Sequence, residues 1–180
     1  MLVAVDFGER KRDLAEDHVR ALLTLDPSNH EGNLMLGSFQ YERGQYSLAA
    51  ASYRTALEAK RTPTCLNDLA YILIGEGSYA EAGQLIDEAC AMKPDDPLLL
   101  STRGELYLRT GRLDEAETDI QQVLSVLPDN LQMQLLAAEL YHARGQDPAA
   151  RQILDTLRGR VHEFPADLQA RLQDLLRDVP

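Results

Sequence analysis

The chain has 180 residues, of which 44% are hydrophobic, 6% aromatic and 26% charged. This composition is ordinary for a folded protein and argues against wholesale disorder. The net charge of −11, from 18 basic and 29 acidic residues, argues against a nucleic acid partner, because proteins that bind nucleic acids neutralise phosphates with clustered Lys and Arg.

The sequence also argues against a membrane segment. No stretch approaches the roughly 20 uncharged apolar residues that a membrane-spanning helix needs. Asp6 and Glu9 follow the apolar first residues at once, which is not the pattern of a secretory signal. We therefore expect no direct membrane insertion of this segment, and the compartment, cytoplasmic or periplasmic, stays open.

A repeat of about 34 residues organises the chain. Four glycines follow one another at steps of 33, 34 and 34 residues, with an alanine five residues after each and a small residue seven residues before each. The glycines are Gly44, Gly77, Gly111 and Gly145, the alanines are Ala49, Ala82, Ala116 and Ala150, and the small residues are Gly37, Ala70, Gly104 and Ala138. Several coupled positions recurring in four copies establish the period.

In chain order, the repeat predicts a partial unit, four complete units and a terminal helix. Residues 1–29 match the second helix of a unit that ends at Pro27, with only residues 2–7 left of the first helix. The expected divisions are 1–29, 30–63, 63–96, 97–130, 131–164 and 165–180. The incomplete first unit predicts that the chain is part of a longer repeat protein. Leucines on one stripe of residues 166–178 predict an amphipathic helix that caps the array, with a partner-binding tail as the alternative.

Each complete unit is predicted to hold two helices. The repeated glycine supplies the positive φ at which the first helix ends. Pro94 and Pro128 end second helices, and the acidic residue after each is expected to cap the next helix. Asp147 and Pro148 are interpreted as an N-cap followed by a proline at the first helical position. Gly37 and Gly104 are expected to let paired helices approach closely, where a larger side chain would wedge them apart.

The pattern resembles that of the tetratricopeptide repeat (TPR) family, most clearly in residues 98–128, where Gly104, Tyr107, Gly111, Ala116, Ile120 and Pro128 occupy the family's positions. The resemblance implies an all-α, right-handed α-solenoid of stacked helix-turn-helix hairpins, with about eleven helices. Four residues depart from the family pattern and are expected to weaken their units. Asn33 and Gln134 replace a large aromatic residue, Arg103 replaces a leucine, and Arg61 replaces a proline.

The chain is predicted not to be an enzyme, and we expect no cofactor and no metal. Cys65 and Cys90 form no CxxC pair, and the four histidines are scattered. The sequence contains no phosphate-binding glycine loop, no pair of histidines spaced as in a zinc protease helix and no GxSxG turn. Adjacent carboxylates such as Asp87 and Glu88 are interpreted as solvated surface.

A partner is expected on the first helices, which line the inner, concave surface of a stacked-hairpin array. Residues at i, i+4 and i+7 define this stripe in each unit, and six of the twelve are large and apolar or aromatic. They are Leu34, Ser38 and Tyr41; Asn67, Tyr71 and Ile74; Ser101, Glu105 and Leu108; and Leu135, Glu139 and His142. The expected ligand is a protein or peptide segment with apolar side chains and a basic residue facing Glu105 and Glu139. The alternative is that neighbouring repeats cover these residues and nothing binds.

Some members of the family hold the C-terminal carboxylate of chaperones with Lys, Asn and Arg on this surface. The corresponding positions here hold no basic residue, which argues against such a co-chaperone. These positions are Leu34, Ser38, Asp68, Leu98 and Thr102.

Two functions stay open: a scaffold for a protein partner, and a self-association module. Self-association would use apolar residues of the partial first unit, namely Leu14, Val19, Leu22 and Leu23. Residues 66–71, 93–97 and 102–104 resemble bacterial multi-repeat proteins, which implies a role in assembly or export of surface polysaccharide or envelope components. Residues 63–96 hold seven acidic residues and one basic residue, which serves solubility or attracts a basic partner to the outer face.

Overall fold

The computed structural model describes the backbone of residues 2–179 and the side chains of residues 11–165 and 168–179. Within this range the chain forms ten α-helices and one short 3₁₀ turn, and it contains no strand. The helices are α1 (Leu2–Leu25), α2 (His30–Glu42), α3 (Tyr46–Ala59), α4 (Pro63–Gly75), α5 (Tyr79–Met92), α6 (Pro97–Arg109), α7 (Leu113–Val126), α8 (Leu131–Ala143), α9 (Asp147–Arg158) and α10 (Ala166–Asp178). The prediction of an all-α fold is confirmed.

Consecutive helices pair as hairpins, α2 with α3, α4 with α5, α6 with α7 and α8 with α9. Each first helix ends two residues before a glycine of positive φ, between 70° and 76°. The backbone N–H of Gly44 donates to the Tyr41 carbonyl at 2.9 Å, and the next N–H donates to the Gln40 carbonyl at 2.9 Å. The repeated glycine therefore ends the first helices as predicted, because a residue with a side chain is strained at such a φ.

The N-terminal segment differs from the prediction. Residues 2–25 form a single 24-residue helix, α1, which packs on α2. The remnant of a separate first helix expected in residues 2–7 is not present, because the backbone of these residues continues α1 without a break. The described range therefore holds one helix fewer than the eleven expected.

Helix N-caps also differ in detail. The residues that cap α6 and α8 are Asp96 and Asn130, one position after the acidic residues that were expected to do so. The Asn130 side chain accepts a hydrogen bond from the Met133 N–H at 3.0 Å. At α9 the capping residue is Gln146, without a side-chain bond, and Asp147 is the first helical residue. The interpretation of Asp147 as an N-cap is wrong, because its carboxylate contacts His142 instead.

Residues 1–92 form one compact unit, the N-terminal unit. Its largest fully buried side chains are Leu66, Leu69, Leu73 and Ile86. A close helix approach distinguishes the α2–α3 hairpin, since a Cβ added at Gly37 would lie 2.5 Å from the ring of Tyr53. The prediction that a larger side chain would wedge these helices apart is therefore correct at Gly37.

Residues 93–180 form a second compact unit, the C-terminal unit. One cluster of its core lies between α6, α7 and α8 around Leu100, Ile120 and Met133. A Cβ at Gly104, the counterpart of Gly37 in the repeat, would lie 3.4 Å from its nearest neighbour, the Asp119 Cβ. The α6–α7 hairpin therefore has room for an alanine where the α2–α3 hairpin does not.

A second cluster of the C-terminal unit joins α10 to the preceding helices. Leu168, Leu172, Leu175 and Val179 pack with the buried side chains of α8 and α9. The Arg151 side chain donates to the Val179 carbonyl at 2.8 Å. Because the apolar stripe of α10 is buried against the last hairpin, it is withdrawn from solvent.

Two departures from the repeat pattern make the same contact. The Asn33 side-chain amide donates to the Pro27 carbonyl at 2.9 Å, and the Gln134 amide donates to the Pro128 carbonyl at 2.7 Å. Each carbonyl lies six residues upstream, in the turn that precedes the helix. In place of the packing of a large aromatic residue, each of these amides forms a hydrogen bond to the turn between two repeats.

The other two departures form ion pairs. Arg103 binds the buried Asp119 carboxylate with two hydrogen bonds, of 2.8 and 2.7 Å, across the α6–α7 hairpin. Arg61 binds Glu88 with two bonds, of 2.7 and 2.6 Å, and this contact lowers the pKa of Glu88. Bidentate pairs of this kind are the strong class of charge-assisted hydrogen bonds. The departures are therefore matched by partners elsewhere in the chain.

Candidate functional site

The twelve residues predicted to bind a partner fall into two sets, one in each unit. The first set, on α2 and α4, is called the α2–α4 face, and the second set, on α6 and α8, is called the α6–α8 face. The α2–α4 face consists of Leu34, Ser38, Tyr41, Asn67, Tyr71 and Ile74, and the α6–α8 face consists of Ser101, Glu105, Leu108, Leu135, Glu139 and His142. All twelve are at least partly buried within the chain, so the two faces must be judged by what covers them.

On the α6–α8 face, the terminal helix covers a central residue. Leu135 is 0% exposed and belongs to the cluster that contains Leu168, Leu172 and Leu175 of α10. The expectation that Leu135 lines an accessible surface is wrong, because α10 packs over it. It contributes to the core of the C-terminal unit.

The two acidic residues of the α6–α8 face are paired within the chain. Arg171 of α10 donates to Glu105 at 2.9 Å and, through two bonds of 3.0 and 2.9 Å, to Glu139. Arg109 lies 3.2 Å from Glu105 and 3.3 Å from Glu139. The basic residue expected from a partner is therefore supplied by α10 and α6.

Two polar side chains of this face also have partners nearby. The Ser101 hydroxyl donates to the Pro97 carbonyl at 2.7 Å, and His142 Nδ1 lies 2.7 Å from the Asp147 carboxylate. Leu108 packs at the edge of the cluster around Leu100. Most of the side chains predicted to bind a partner on the α6–α8 face thus already make contacts within the C-terminal unit.

The α2–α4 face carries an aromatic cluster. The rings of Tyr41 and Tyr71 meet edge to face, with centroids 6.0 Å apart and an interplanar angle of 70°. Tyr46 extends the cluster, its centroid 5.4 Å from that of Tyr41. Both Tyr41 and Tyr71 are half-buried. Aromatic rings in this state offer rigid contact area at low entropic cost, which is typical of protein-binding surfaces.

Ser38 connects the α2–α4 face to α3 of the same hairpin. Its hydroxyl donates to the Leu34 carbonyl at 3.1 Å and lies 3.3 Å from the Tyr53 hydroxyl. Burial raises the pKa of Tyr53 to about 12, so the phenol is neutral at physiological pH. Ser38 and Tyr53 thus form a polar contact between α2 and α3. Ile74 is buried and contributes packing.

Asn67 and Asp68 form a polar pair on the same helix as Tyr71. The Asn67 side-chain N–H donates to the Asp68 carboxylate at 3.4 Å. Asn67 is only 4% exposed, and its side-chain oxygen has no hydrogen-bond partner. Burial raises the pKa of Asp68 to about 6, and the bond from Asn67 opposes this rise. Among the described side chains, no Lys, Arg or His forms an ion pair with Asp68.

Two residues that contact these faces, Asp68 and Arg171, were not among the predicted site residues. Asp68 entered the sequence analysis only as a position that lacks the basic residue of chaperone-binding repeats. Arg171 was treated as part of a capping helix, and its contact with Glu105 spans 66 residues of sequence. An acidic residue beside Asn67 on a first helix was a usable signal, whereas nothing local in the sequence links α10 to α6.

Acidic side chains of the second helices and of the turn after α5 pair at a constant spacing, which we call the 27-residue ladder. Its rungs join residues 27 apart: Arg54 to Glu81 at 3.0 Å, Arg61 to Glu88 at 2.6 Å, Asp95 to Gln122 at 3.1 Å and Glu117 to Arg144 at 2.6 Å. The acidic surface predicted to attract a basic partner is thus partly neutralised inside the chain. Each exposed rung contributes little to stability.

The structure offers few groups suited to catalysis or metal binding. Among the described side chains, no three His, Cys, Asp or Glu residues are grouped as metal ligands. Both cysteines are buried and unbridged, and burial raises the pKa of Cys65 to about 12. None of the helices in the described range combines the length and apolar character needed to span a membrane.

Comparison with known proteins identifies the family to which this fold is similar. The tetratricopeptide repeat family matches residues 73–121 with one of its models and residues 5–64 and 101–167 with another. A TPR repeat-containing protein of Pseudomonas aeruginosa is 39% identical over 66 residues, 36% of this chain and 11% of that protein. The cellulose synthase operon protein C of Pseudomonas fluorescens is 28% identical over 152 residues, 79% of this chain and 12% of that protein.

A solved structure supports the same assignment. A tetratricopeptide repeat protein from Parabacteroides merdae, 25% identical, superposes with a TM-score of 0.69 over 95% of this chain and 68% of that chain. The chain spans 11% and 12% of the two relatives matched by sequence, so it corresponds to a small part of each. The matching models cover most of the chain, and it belongs to the tetratricopeptide repeat family, whose members are generally non-enzymatic scaffolds for protein–protein interaction.

Proposed function

We propose that this chain binds a segment of a partner protein on the α2–α4 face. The observation that carries this proposal is the difference in coverage between the two faces. The carboxylates of the α6–α8 face are bonded to Arg171, and Leu135 is covered by α10. The α2–α4 face keeps half-buried aromatic rings, and the Asp68 carboxylate beside Asn67 has no ion-pair partner among the described side chains. A scaffold needs a surface of this second kind.

The two tyrosine rings indicate which kind of side chain the partner segment carries. Tyr41 and Tyr71 are packed edge to face, so a partner's apolar side chain would bury area against rings already held in place. Such preorganised aromatic contacts lose little conformational entropy on binding. The partner is therefore an extended or helical segment that presents at least one large apolar side chain to these two tyrosines.

A capture experiment tests the proposal. The tagged chain is incubated with lysate of the source organism, and captured proteins are identified for the parent, for Tyr71→Glu and for the exposed control Gln84→Glu on α5. We expect Tyr71→Glu to lose a specific partner by more than about tenfold, because a charge would be buried without a counter-ion. Gln84→Glu should retain it. Equal capture by all three proteins, each with unchanged helicity by circular dichroism, would refute the α2–α4 face as the binding surface.

Self-association is a second candidate, favoured by the exposed side of α1. Leu14, Leu22 and Leu25 are exposed there. Val19 and Leu23, which the sequence analysis grouped with them, do not contribute equally: Val19 is buried, and Leu23 packs close to Gly32 of α2. Two or three apolar side chains form a smaller surface than the four predicted.

The likeness to the cellulose synthase operon protein C supports placing such a module in a larger assembly for envelope polysaccharide.

Light scattering across a concentration series tests self-association. A mass that rises with concentration, and that returns to the monomer value in Leu14→Glu, would support it. A constant monomer mass would refute it.

A further inference from the structure

A buried pair of acceptors on the α2–α4 face lacks a donor. The side-chain oxygen of Asn67 has no hydrogen-bond partner, although Asn67 is 4% exposed. Its amide N–H points to Asp68, whose carboxylate receives only this long bond of 3.4 Å. A buried polar atom without a partner costs free energy, and native proteins avoid leaving one. The pair thus holds one buried amide oxygen and one half-buried carboxylate, and neither is bonded to a cation among the described side chains.

The surroundings of the pair supply no cation. The described side chains hold no ion-pair partner for Asp68. The Asp68 charge acts on Tyr53 and Cys65, and the pKa of each is raised by burial and by this charge. Neither can donate a positive charge. The Asp68 carboxylate is therefore half-buried, and no positive charge of the described side chains pairs with its ionised form.

The C-terminal unit contains the compensated version of this arrangement. Glu105 and Glu139 occupy first-helix positions and share the guanidinium of Arg171, at 2.9 Å each, and that of Arg109, at 3.2 and 3.3 Å, although Glu105 Oε2 has no hydrogen-bond partner. Leu172, which follows Arg171 in the sequence, packs in the core of the C-terminal unit. An arginine next to a leucine on a helix is thus a ligand that first-helix carboxylates of this protein already accept.

We propose that Asp68 and the Asn67 oxygen bind an arginine side chain of the partner segment, beside the tyrosine rings. This inference rests on the proposed function and specifies the partner's chemistry. A guanidinium carries five N–H donors in a planar fork, which suits two adjacent acceptors better than the single ammonium of lysine. Tyr71 lies one helical turn from Asn67, so its ring can lie along the aliphatic part of the arginine.

The test uses three synthetic peptides, acetyl-Leu-Arg-Leu-amide and its citrulline and glutamate counterparts, titrated into the ¹⁵N-labelled full chain. Citrulline keeps the shape of arginine but has no charge. We expect the arginine peptide to shift the Asn67 side-chain amide and the α4 resonances. The citrulline peptide should bind about tenfold more weakly, and the glutamate peptide more weakly still.

Two matched variants sharpen the result. Asp68→Asn keeps the size of the side chain and removes its charge, and we expect it to weaken binding of the arginine peptide about tenfold. Asp87→Asn makes the same change at an exposed position on α5 and should leave the affinity unchanged. A loss of the same size in both variants would indicate general attraction to an acidic protein and would overturn the proposal.

The remaining outcomes separate this inference from the proposed function. Equal affinity of the arginine and citrulline peptides, with shifts on α2 and α4, would refute arginine recognition and leave the α2–α4 face as a binding surface. Shifts confined to the second helices would refute both. The absence of shifts up to about 10 mM peptide would overturn arginine recognition, because even a single exposed ion pair with apolar contacts should be detectable there.

Discussion

The α2–α4 face and the α6–α8 face occupy the same positions of the repeat but differ in what covers them. On the α6–α8 face, α10 buries Leu135 and places Arg171 between two carboxylates. On the α2–α4 face, Asp68 has no such cation among the described residues. Position in a repeat therefore does not determine availability to a partner. The segment that follows the last repeat can occupy the surface that the repeat would otherwise present.

The largest expected effect comes from loosening α10. Leu172 is fully buried between α10 and the last hairpin, so Leu172→Ala should cost about 2–5 kcal/mol. Urea unfolding measures the loss, and hydrogen exchange locates it in α10. If the comparison of the two faces is correct, this variant should also bind the arginine peptide at Glu105 and Glu139. Failure to gain a second binding site would show that α10 does not occlude the α6–α8 face.

Removing the guanidinium alone should have a smaller effect. Arg171→Met keeps the aliphatic part of the side chain and leaves Glu105 and Glu139 with Arg109 as their cation. We expect a loss of roughly 1–3 kcal/mol in unfolding free energy, below the full cost of a broken buried pair because one arginine remains. Arg177→Met, at an exposed residue of the same helix, should change stability by less than about 0.5 kcal/mol.

The hairpins behind the two faces can be compared by one substitution. Gly37→Ala should cost about 1–3 kcal/mol, because the added Cβ would lie 2.5 Å from the Tyr53 ring. Gly104→Ala should be neutral or stabilising by about 0.5 kcal/mol, because its Cβ would be in ordinary contact at 3.4 Å. Thermal unfolding of both variants measures the difference. A larger loss at Gly104 would contradict the packing described here.

The smallest effect is a pH-dependent gain. Burial raises the pKa of Asp68 to about 6 in the folded protein, so its ionisation destabilises the fold as the pH rises through this value. Asp68→Asn should therefore be more stable than the parent above pH 6, by about 1 kcal/mol after allowance for solvent screening. The gain should vanish below about pH 3, where Asp68 is protonated in both states. A variant that gains stability while losing the arginine peptide would mark Asp68 as a binding residue.

The backbone of this fold was largely predictable from the sequence, because its signals are local. The positive-φ glycines end first helices where the 34-residue period places them. The extent of α1 was predicted incorrectly, since the repeat pattern was extended into residues 2–7 and suggested a break that the backbone does not have. A periodic pattern predicts a helix–turn–helix unit well and a terminal deviation from it poorly.

The candidate site was less predictable, because its properties depend on contacts distant in sequence. Spacing identified Glu105 and Glu139 correctly as neighbouring acids on first helices. It could not reveal Arg171, which reaches Glu105 across 66 residues. The amides of Asn33 and Gln134 were interpreted as defects, because hydrophobic pattern alone does not show the turn carbonyls that they bind.

In the 27-residue ladder, the contacts between neighbouring repeats depend on the order of the repeats in the chain. Its rungs differ in polarity: Arg54 precedes its acidic partner, whereas Glu117 precedes its basic one. If a copy of residues 63–96 replaced residues 97–130, the counterpart of Glu88 would stand at position 122, opposite Asp95, where Gln122 now donates a hydrogen bond. Like charges would then face each other. Shuffling or duplicating these repeats is therefore penalised, even though each one has the same fold.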